Sequence, residues 1–156
     1  MPDVKDSKKL TPQKRDILYD ELYTHAIAIG VGIVDSYLID RINILKAALL
    51  SMALAAENLY PKPDLLLIDG PYKIPSNLEQ STIIKGDSLS VSIAAASIIA
   101  KVSRDRLMEG YHLLYPEYGF YKHKGYPSKA HKEAIAKYGC SKIHRLSFKP
   151  CKLKKM

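Results

Sequence analysis

Between residues 26 and 34 the chain alternates. Ile27, Ile29, Val31 and Ile33 stand between Ala and Gly, the two-residue period of a strand. On its N-terminal side Thr11-Pro12 marks a helix start, because Thr caps the helix and Pro at the first helical position loses no hydrogen bond. The pattern that follows predicts a helix to Tyr23 with Ile17, Leu18 and Leu22 inward. Asp35-Ser36 can cap a short helical turn. A helix from Asn43 to Tyr60 is apolar on most sides (Leu45, Ala48, Leu49, Met52, Ala55, Ala56, Leu59), which predicts a buried helix. Pro61-Lys62-Pro63 stops it. "DLLLID", residues 64–69, is a continuous apolar run of strand length, suited to a strand covered on both faces. Residues 71–80 read as a polar loop, 82–85 as a second short strand, and 88–110 as a helix. The stretch "YPEYGFYKHKGYPS" is irregular, and residues 128–138 form a last helix ended by Gly139. Strands alternating with helices predict an α/β fold.

Composition narrows the class. The chain has 156 residues and is 47% hydrophobic, which suits a single domain with a core. No apolar run, Ile93 to Ala100 included, reaches the roughly 18 residues needed to span a bilayer. "PDVKDSKKL" after Met1 has neither signal-peptide nor transit-peptide character. Cys140 and Cys151 lack metal-ligand spacing, so no disulfide framework is expected and the cytoplasm is the expected compartment. The net charge of +8 is uneven. Residues 121–156 carry eleven Lys or Arg against one acid, Glu133, while the first 120 residues hold thirteen basic and fifteen acidic residues. That basic segment reads either as a solvated tail or as a polyanion-facing surface, and charge alone does not choose.

The chemistry lies in two carboxylates. Asp69 follows four apolar residues and precedes a Gly turn, at the carboxyl end of a strand, where open α/β sheets place their ligand sites. Asp87 follows the second strand and precedes a helix. Two adjacent parallel strands would bring both to one rim, an arrangement suited to Mg²⁺ facing phosphate. The plainer alternatives are a helix N-cap for Asp87 and a turn carboxylate for Asp69. Beyond Asp87 the helix carries Ser88, Ser90, Ser92, Ala94, Ala95, Ala96 and Ser97, small side chains that let a helix approach a sheet closely. Lys101, Arg104 and Arg106 fit a structural role at a helix end. "YKHKGYPSKAHK" interleaves His123, Lys124, Lys129, His131 and Lys132 with Tyr121 and Tyr126, which suits phosphates and base or sugar stacking. The spacing of His123, His131 and His144 is not a zinc pattern.

"KDSKKLTPQKRDILYDEL", "IDRINILKAALLSMALA", "LLLIDG", "IIKGDSLSVSIAAASIIAKVSRDRLM", "YPEYGFYKHKGYPSKAH" and "HRLSF" occur in this order. Together they resemble bacterial ribonuclease HII, the type 2 ribonuclease H, from Lys5 to Phe148. The resemblance implies a ribonuclease H-like mixed sheet with flanking helices and a helical C-terminal part. It implies cleavage of RNA in RNA–DNA hybrids and 5′ to single ribonucleotides in duplex DNA, with Mn²⁺ or Mg²⁺ bound by four carboxylates. Two of these map onto Asp69 and Asp87, as metal ligands and catalytic groups. Asp105 belongs to a family motif outside the metal site. Tyr126 maps onto the tyrosine of the "HKGY" motif, which packs at the RNA–DNA junction and helps sense the 2′-hydroxyl. Lys8 and Lys9, with His123 and Lys124 around Tyr126, are the expected backbone contacts. Two ions would activate water and stabilise the leaving oxygen.

The family's Asp-Glu-Ala-Gly-Arg-Gly motif, with the strand that carries it and the other two carboxylates, is not found here, and Asp3 and Asp6 lie in a polar segment. The expectation is therefore an N-terminally truncated member with an incomplete sheet, one domain over residues 1–156 and a basic segment over 121–156. It is expected to act as a monomer on RNA–DNA hybrid or ribonucleotide-containing duplex, without membrane contact. The competing expectation is a catalytically inactive fragment that only binds nucleic acid through its basic end.

Overall fold

The structure is a computed structural model and describes residues 4, 7 and 10–154. The chain groups into two compact units. The first comprises residues 1–33 and 48–102, the second residues 34–47 and 103–156. Each is described by itself.

In the first unit, α1 (Pro12–His25) starts as its sequence dictates: the Thr11 hydroxyl accepts from Lys14 N at 3.2 Å. Leu18 and Leu22, one turn apart, are buried. Ile17, expected inward, is 60% exposed, because each residue turns the helix by about 100° and takes Ile17 off the Leu18–Leu22 stripe. That stripe meets Ile98, Ile99, Ala94 and Val102 of α5 (Val91–Leu114), together with Val4, and Ile29 and Val31 pack against the cluster. The small residues early in α5 therefore serve close packing against α1 and the 26–34 stretch, where the sequence suggested a sheet.

Residues 26–34 alternate like a strand but join no sheet among the described residues. Gly30 and Gly32 show what the stretch packs on instead. A Cβ on Gly30 would lie 2.1 Å from Ala55 O, and one on Gly32 1.9 Å from Ser51 O, so this extended stretch is pressed against the backbone of α3 (Ile44–Glu57). Asn58 Nδ2 donates to Val31 O at 2.9 Å and fixes the approach. Here glycine marks a backbone contact with a helix.

The sheet consists of two parallel strands, β1 (Leu65–Asp69) and β2 (Glu79–Ile83), registered Leu65 to Glu79 through Asp69 to Ile83. Only one face of β1 is covered. Leu66 and Ile68 pack with Ala53 and Ala56 of α3 and with Ile74, while Leu65 and Leu67 are exposed, contrary to the two-sided cover expected. Each buried aliphatic side chain is worth about 1.5–3 kcal/mol. α3 is correspondingly one-sided: Ala53 and Ala56 are buried, but Leu45 and Met52 stand exposed. β2 begins at Glu79, earlier than expected, because Gln80 organises the preceding loop. Its amide accepts from Ile74 N at 2.9 Å and donates to Ile74 O at 3.1 Å and Ser76 O at 2.9 Å.

In place of one helix from residue 88, α4 (Gly86–Leu89) and α5 are separated at Ser90, whose backbone is extended. No helix among the described residues is long and apolar enough to cross a membrane.

The second unit is built on aromatic rings. α2 (Ser36–Ile42) is capped by Asp35, whose carboxylate accepts from Leu38 N at 2.8 Å. A 3-10 turn (Pro116–Tyr118) leads to α6 (Phe120–His123) and then to α7 (Lys129–Tyr138), capped by Ser128. Tyr118, Phe120, Ile135 and Cys151 form the buried cluster, with Cys140 packed against it. Cys140 and Cys151 are joined in a disulfide, Cα atoms 6.1 Å apart. The expectation of no disulfide framework is corrected to this one bridge: the aromatic cluster gathers two cysteines whose spacing alone announced nothing.

Candidate functional site

Asp69 is the last residue of β1, opposite Ile83, and Gly70 N continues the ladder to Ile83 O at 2.9 Å. The chain leaves β2 through Lys85, in the left-handed region at φ 58°, and turns into α4. That turn aims Gly86 N at Asp69 Oδ1, 2.8 Å away. Gly86 is buried there. A Cβ at this position would meet Ile93 Cδ1 at 2.4 Å and Asp69 Oδ1 at 3.4 Å, so glycine lets the turn sit against the carboxylate and the start of α5 without moving the Ile93 side chain. Asp87 follows directly, in the first turn of α4, half-buried, with Ser88 Oγ 3.5 Å from its Oδ1. It is not the N-cap; Lys85 is. The parallel pair thus brings both sequence-predicted carboxylates to one rim. The backbone hydrogen bond engages Oδ1 of Asp69, an exposed residue.

Two carboxylates on one rim fit a hard divalent cation shared with substrate phosphate, which takes one or two protein carboxylates and completes its shell elsewhere. They do not make an all-protein cage: among the described residues no group of three or more His, Cys, Asp or Glu could hold an ion.

The other predicted contacts lie in the second unit. Tyr126 is 58% exposed, and the Arg104 guanidinium stands 5.3 Å from its ring centroid, a cation–π pair that the sequence reading passed over when it gave Arg104 a structural role. An Arg one element away leaves no short-range signal for such a pairing. The turn beneath Tyr126 is tight. Lys124 and Gly125 both adopt positive φ, 48° and 80°, and Tyr126 N donates to His123 O at 2.8 Å. His123 faces inward: its Nδ1 accepts from Gly125 N at 3.2 Å and its Nε2 lies 2.8 Å from Tyr118 O. Lys124 pairs with Glu109. Lys8 and Lys9, and the acids Asp3 and Asp6, lie outside the described residues.

His131 and His144 complete this region. The His131 ring is buried and stacks on His123 with centroids 4.3 Å apart. Its Nδ1 is 2.9 Å from Tyr126 O, and its Nε2 is 3.0 Å from His144 Nε2. His144 Nδ1 accepts from Ser141 N at 3.0 Å. Burial pushes His131 below its ordinary value, against the pull of the Tyr126 hydrogen bond. Burial, with His131 beside it, pushes His144 down to about 4. Both rings are therefore neutral at pH 7.

A third constellation anchors the "HRLSF" segment. Asp40 accepts from Leu146 N at 2.6 Å, from Ser147 N at 3.1 Å and from the Ser147 hydroxyl. Burial raises the Asp40 carboxyl, but these hydrogen bonds and Arg145 outweigh it and hold it below the usual carboxylate range.

Residues 2–151 match the family model described as ribonuclease HII. Relatives named ribonuclease HII include those of Syntrophus aciditrophicus (strain SB), 56% identical over 95% of this chain and 70% of the relative, and Geobacter sulfurreducens, 57% identical over 96% and 69%. The crystal structure of the ribonuclease H2 from Pyrococcus horikoshii OT3 matches with a TM-score of 0.78 at 27% identity, over 97% of this chain and 79% of that one. That structural likeness, over an α/β fold, places the protein in the ribonuclease H class. Within that class, the chain belongs to the ribonuclease HII family and is by family an endoribonuclease.

Proposed function

We propose that the protein cleaves the RNA strand of RNA–DNA hybrids, and cuts 5′ to single ribonucleotides embedded in duplex DNA, by metal-assisted phosphodiester hydrolysis. The observation that carries this reading is the Gly86 N–H to Asp69 Oδ1 bond, which ties the Asp69 strand end to the turn bearing Asp87. Asp69 and Asp87 would hold Mn²⁺ or Mg²⁺, which supplies Lewis-acid polarisation of the scissile phosphate and acidifies a bound water. The backbone bond to Oδ1 restrains the Asp69 carboxylate and lowers the cost of ordering it around an ion. Tyr126, backed by Arg104, presents its ring and hydroxyl to the sugar face, where the 2′-hydroxyl distinguishes RNA from DNA. His123 and Lys124 support the turn that carries it, and Lys8 and Lys9 hold backbone phosphates. In this reading residues 1–156 are one ribonuclease H-like domain, cytoplasmic and monomeric, with the basic segment 121–156 adding affinity for the duplex.

The test is nicking of a duplex bearing one ribonucleotide in Mn²⁺, compared with Asp69→Asn. Loss of at least about 100-fold is expected, the scale of removing a group that organises metal catalysis. Nicking that survives Asp69→Asn would sink the assignment.

A second reading is supported by the small ligand set among the described residues: the 156-residue chain binds nucleic acid without cutting it. It predicts salt-sensitive binding with little preference for ribonucleotide-containing duplex. Cleavage by the purified chain rules it out.

A further inference from the structure

Tyr126 O accepts twice, from Ser128 N at 2.8 Å and from His131 Nδ1 at 2.9 Å. The second bond belongs to a chain whose proton positions can be deduced from one end. Ser141 N–H is a donor by chemistry and the Ser141 hydroxyl, 2.7 Å from the same nitrogen, can donate as well, so His144 Nδ1 carries a lone pair; the Tyr126 carbonyl, which can only accept, demands the same arrangement from the other end. A neutral His144 then bears its proton on Nε2 and donates it to His131 Nε2. His131, accepting at Nε2, must bear its proton on Nδ1 and donate to Tyr126 O. Every group in the line finds a partner in this single arrangement. The line is walled by Phe120, whose ring lies 5.5 Å from His131 and 5.6 Å from His144, and by Tyr118, 4.8 Å from His144.

The local sequence explains the reach. Ser128 caps α7, and its hydroxyl accepts from His131 N at 3.2 Å. His131 is the third residue of α7, the position from which a capping-box side chain turns back toward the preceding chain. Here the side chain passes the cap and takes the carbonyl two residues before it.

We propose that His131 and His144 are positioning residues for substrate recognition: as a neutral two-imidazole relay running from Ser141 N–H to Tyr126 O, they fix the backbone of Tyr126 and so the place of its ring on the ribonucleotide. This rests on the reading that Tyr126 meets the substrate. The arrangement has little slack. With Lys124 and Gly125 already at positive φ, losing the His131 donor removes one of the two bonds that hold the end of the turn opposite His123.

Two measurements on the full chain test it. Imidazole ¹⁵N–¹H correlation NMR at pH 7 should show His131 as the Nδ1–H tautomer and His144 as the Nε2–H tautomer; the opposite tautomer at either ring overturns the relay. Binding to a fluorescent duplex bearing one ribonucleotide, read by anisotropy in EDTA, gives the functional arm. Tyr126→Ala and His131→Leu should each weaken binding by about two- to tenfold, the worth of one ordinary hydrogen bond, and together by no more than either alone. His131→Asn, which keeps an N–H near the Nδ1 position, should restore most of the loss. Multiplicative losses in the double variant, or wild-type binding by His131→Leu, overturn the proposal. Should His131→Leu fail to fold, His144→Leu, which removes the donor to His131 Nε2, carries the same comparison. If Tyr126→Ala alone leaves binding unchanged, the substrate reading of Tyr126 has failed and this role falls with it, while the tautomer result stands apart.

Discussion

The carboxylate rim and the tyrosine turn are built in opposite ways. Asp69 hangs from the end of a two-stranded sheet, its carboxylate held by a backbone N–H, and Leu65 and Leu67 of the same strand are exposed. Tyr126 is also exposed, but everything beneath it is closed: His131 and Phe120 are buried, a disulfide joins the flanking segments, and its carbonyl has two donors. A metal site can be sparse because the ion supplies its own ordering and takes further ligands from substrate. A group that senses one hydroxyl has no such help, so its geometry has to come from the protein. The contrast predicts that variants beneath Tyr126 act through stability and recognition together, whereas variants at the rim act on metal use with little effect on stability.

The largest effect expected is from Phe120→Ala, which empties the centre of the aromatic cluster and should cost about 3–5 kcal/mol in urea unfolding. A loss below about 1 kcal/mol would break the idea that the turn stands on that ring. Opening the Cys140–Cys151 bridge, by Cys140→Ser under oxidising conditions, should cost roughly 2–3 kcal/mol for a loop of this size. The same variant should match the unaltered protein once both are reduced.

Acid probes the relay. The folded His144 pKa, about 4, lies below its ordinary 6.5, so the unfolded chain binds the proton more readily. Its contribution is complete above pH 6.5 and is lost as pH falls toward 4, by an amount on the order of 1–3 kcal/mol. Chemical denaturation from pH 7 to 5 should show stability falling in the native protein, and a flatter profile in His144→Gln.

Smallest is Gly86→Ala at the rim. Its Cβ would meet Ile93 Cδ1, the far end of a flexible side chain, so the cost should be about 1 kcal/mol. The Mn²⁺ concentration needed for half-maximal nicking should rise, because the N–H that orients Asp69 is displaced. An unchanged metal requirement would show that the bond is not what orients the carboxylate.

Legibility in the sequence followed the range of the interaction. Local signals read true: Thr11-Pro12 and Ser128 start helices and Gly139 ends one, while the parallel pairing that brings Asp69 near the turn of Asp87 uses a second strand, Glu79–Ile83, that begins earlier than its expected place. What failed depended on partners distant in the chain. The alternation of residues 26–34 says "extended" correctly, but Gly30 and Gly32 pack it on a helix backbone, and no periodicity can announce that. The same holds for Arg104 over Tyr126, and for three histidines whose spacing suggests no ligand set yet whose rings meet through α6, α7 and the turn at Ser141.

Because His131 is both the third residue of α7 and the holder of Tyr126 O, the start of that helix and the recognition turn share one latch. Fraying of the first helical turn removes one of the two donors that place the tyrosine. Hydrogen exchange should therefore find the amides of Tyr126, Ser128 and His131 opening in a single event with one protection factor, with the turn and helix start behaving as one kinetic unit.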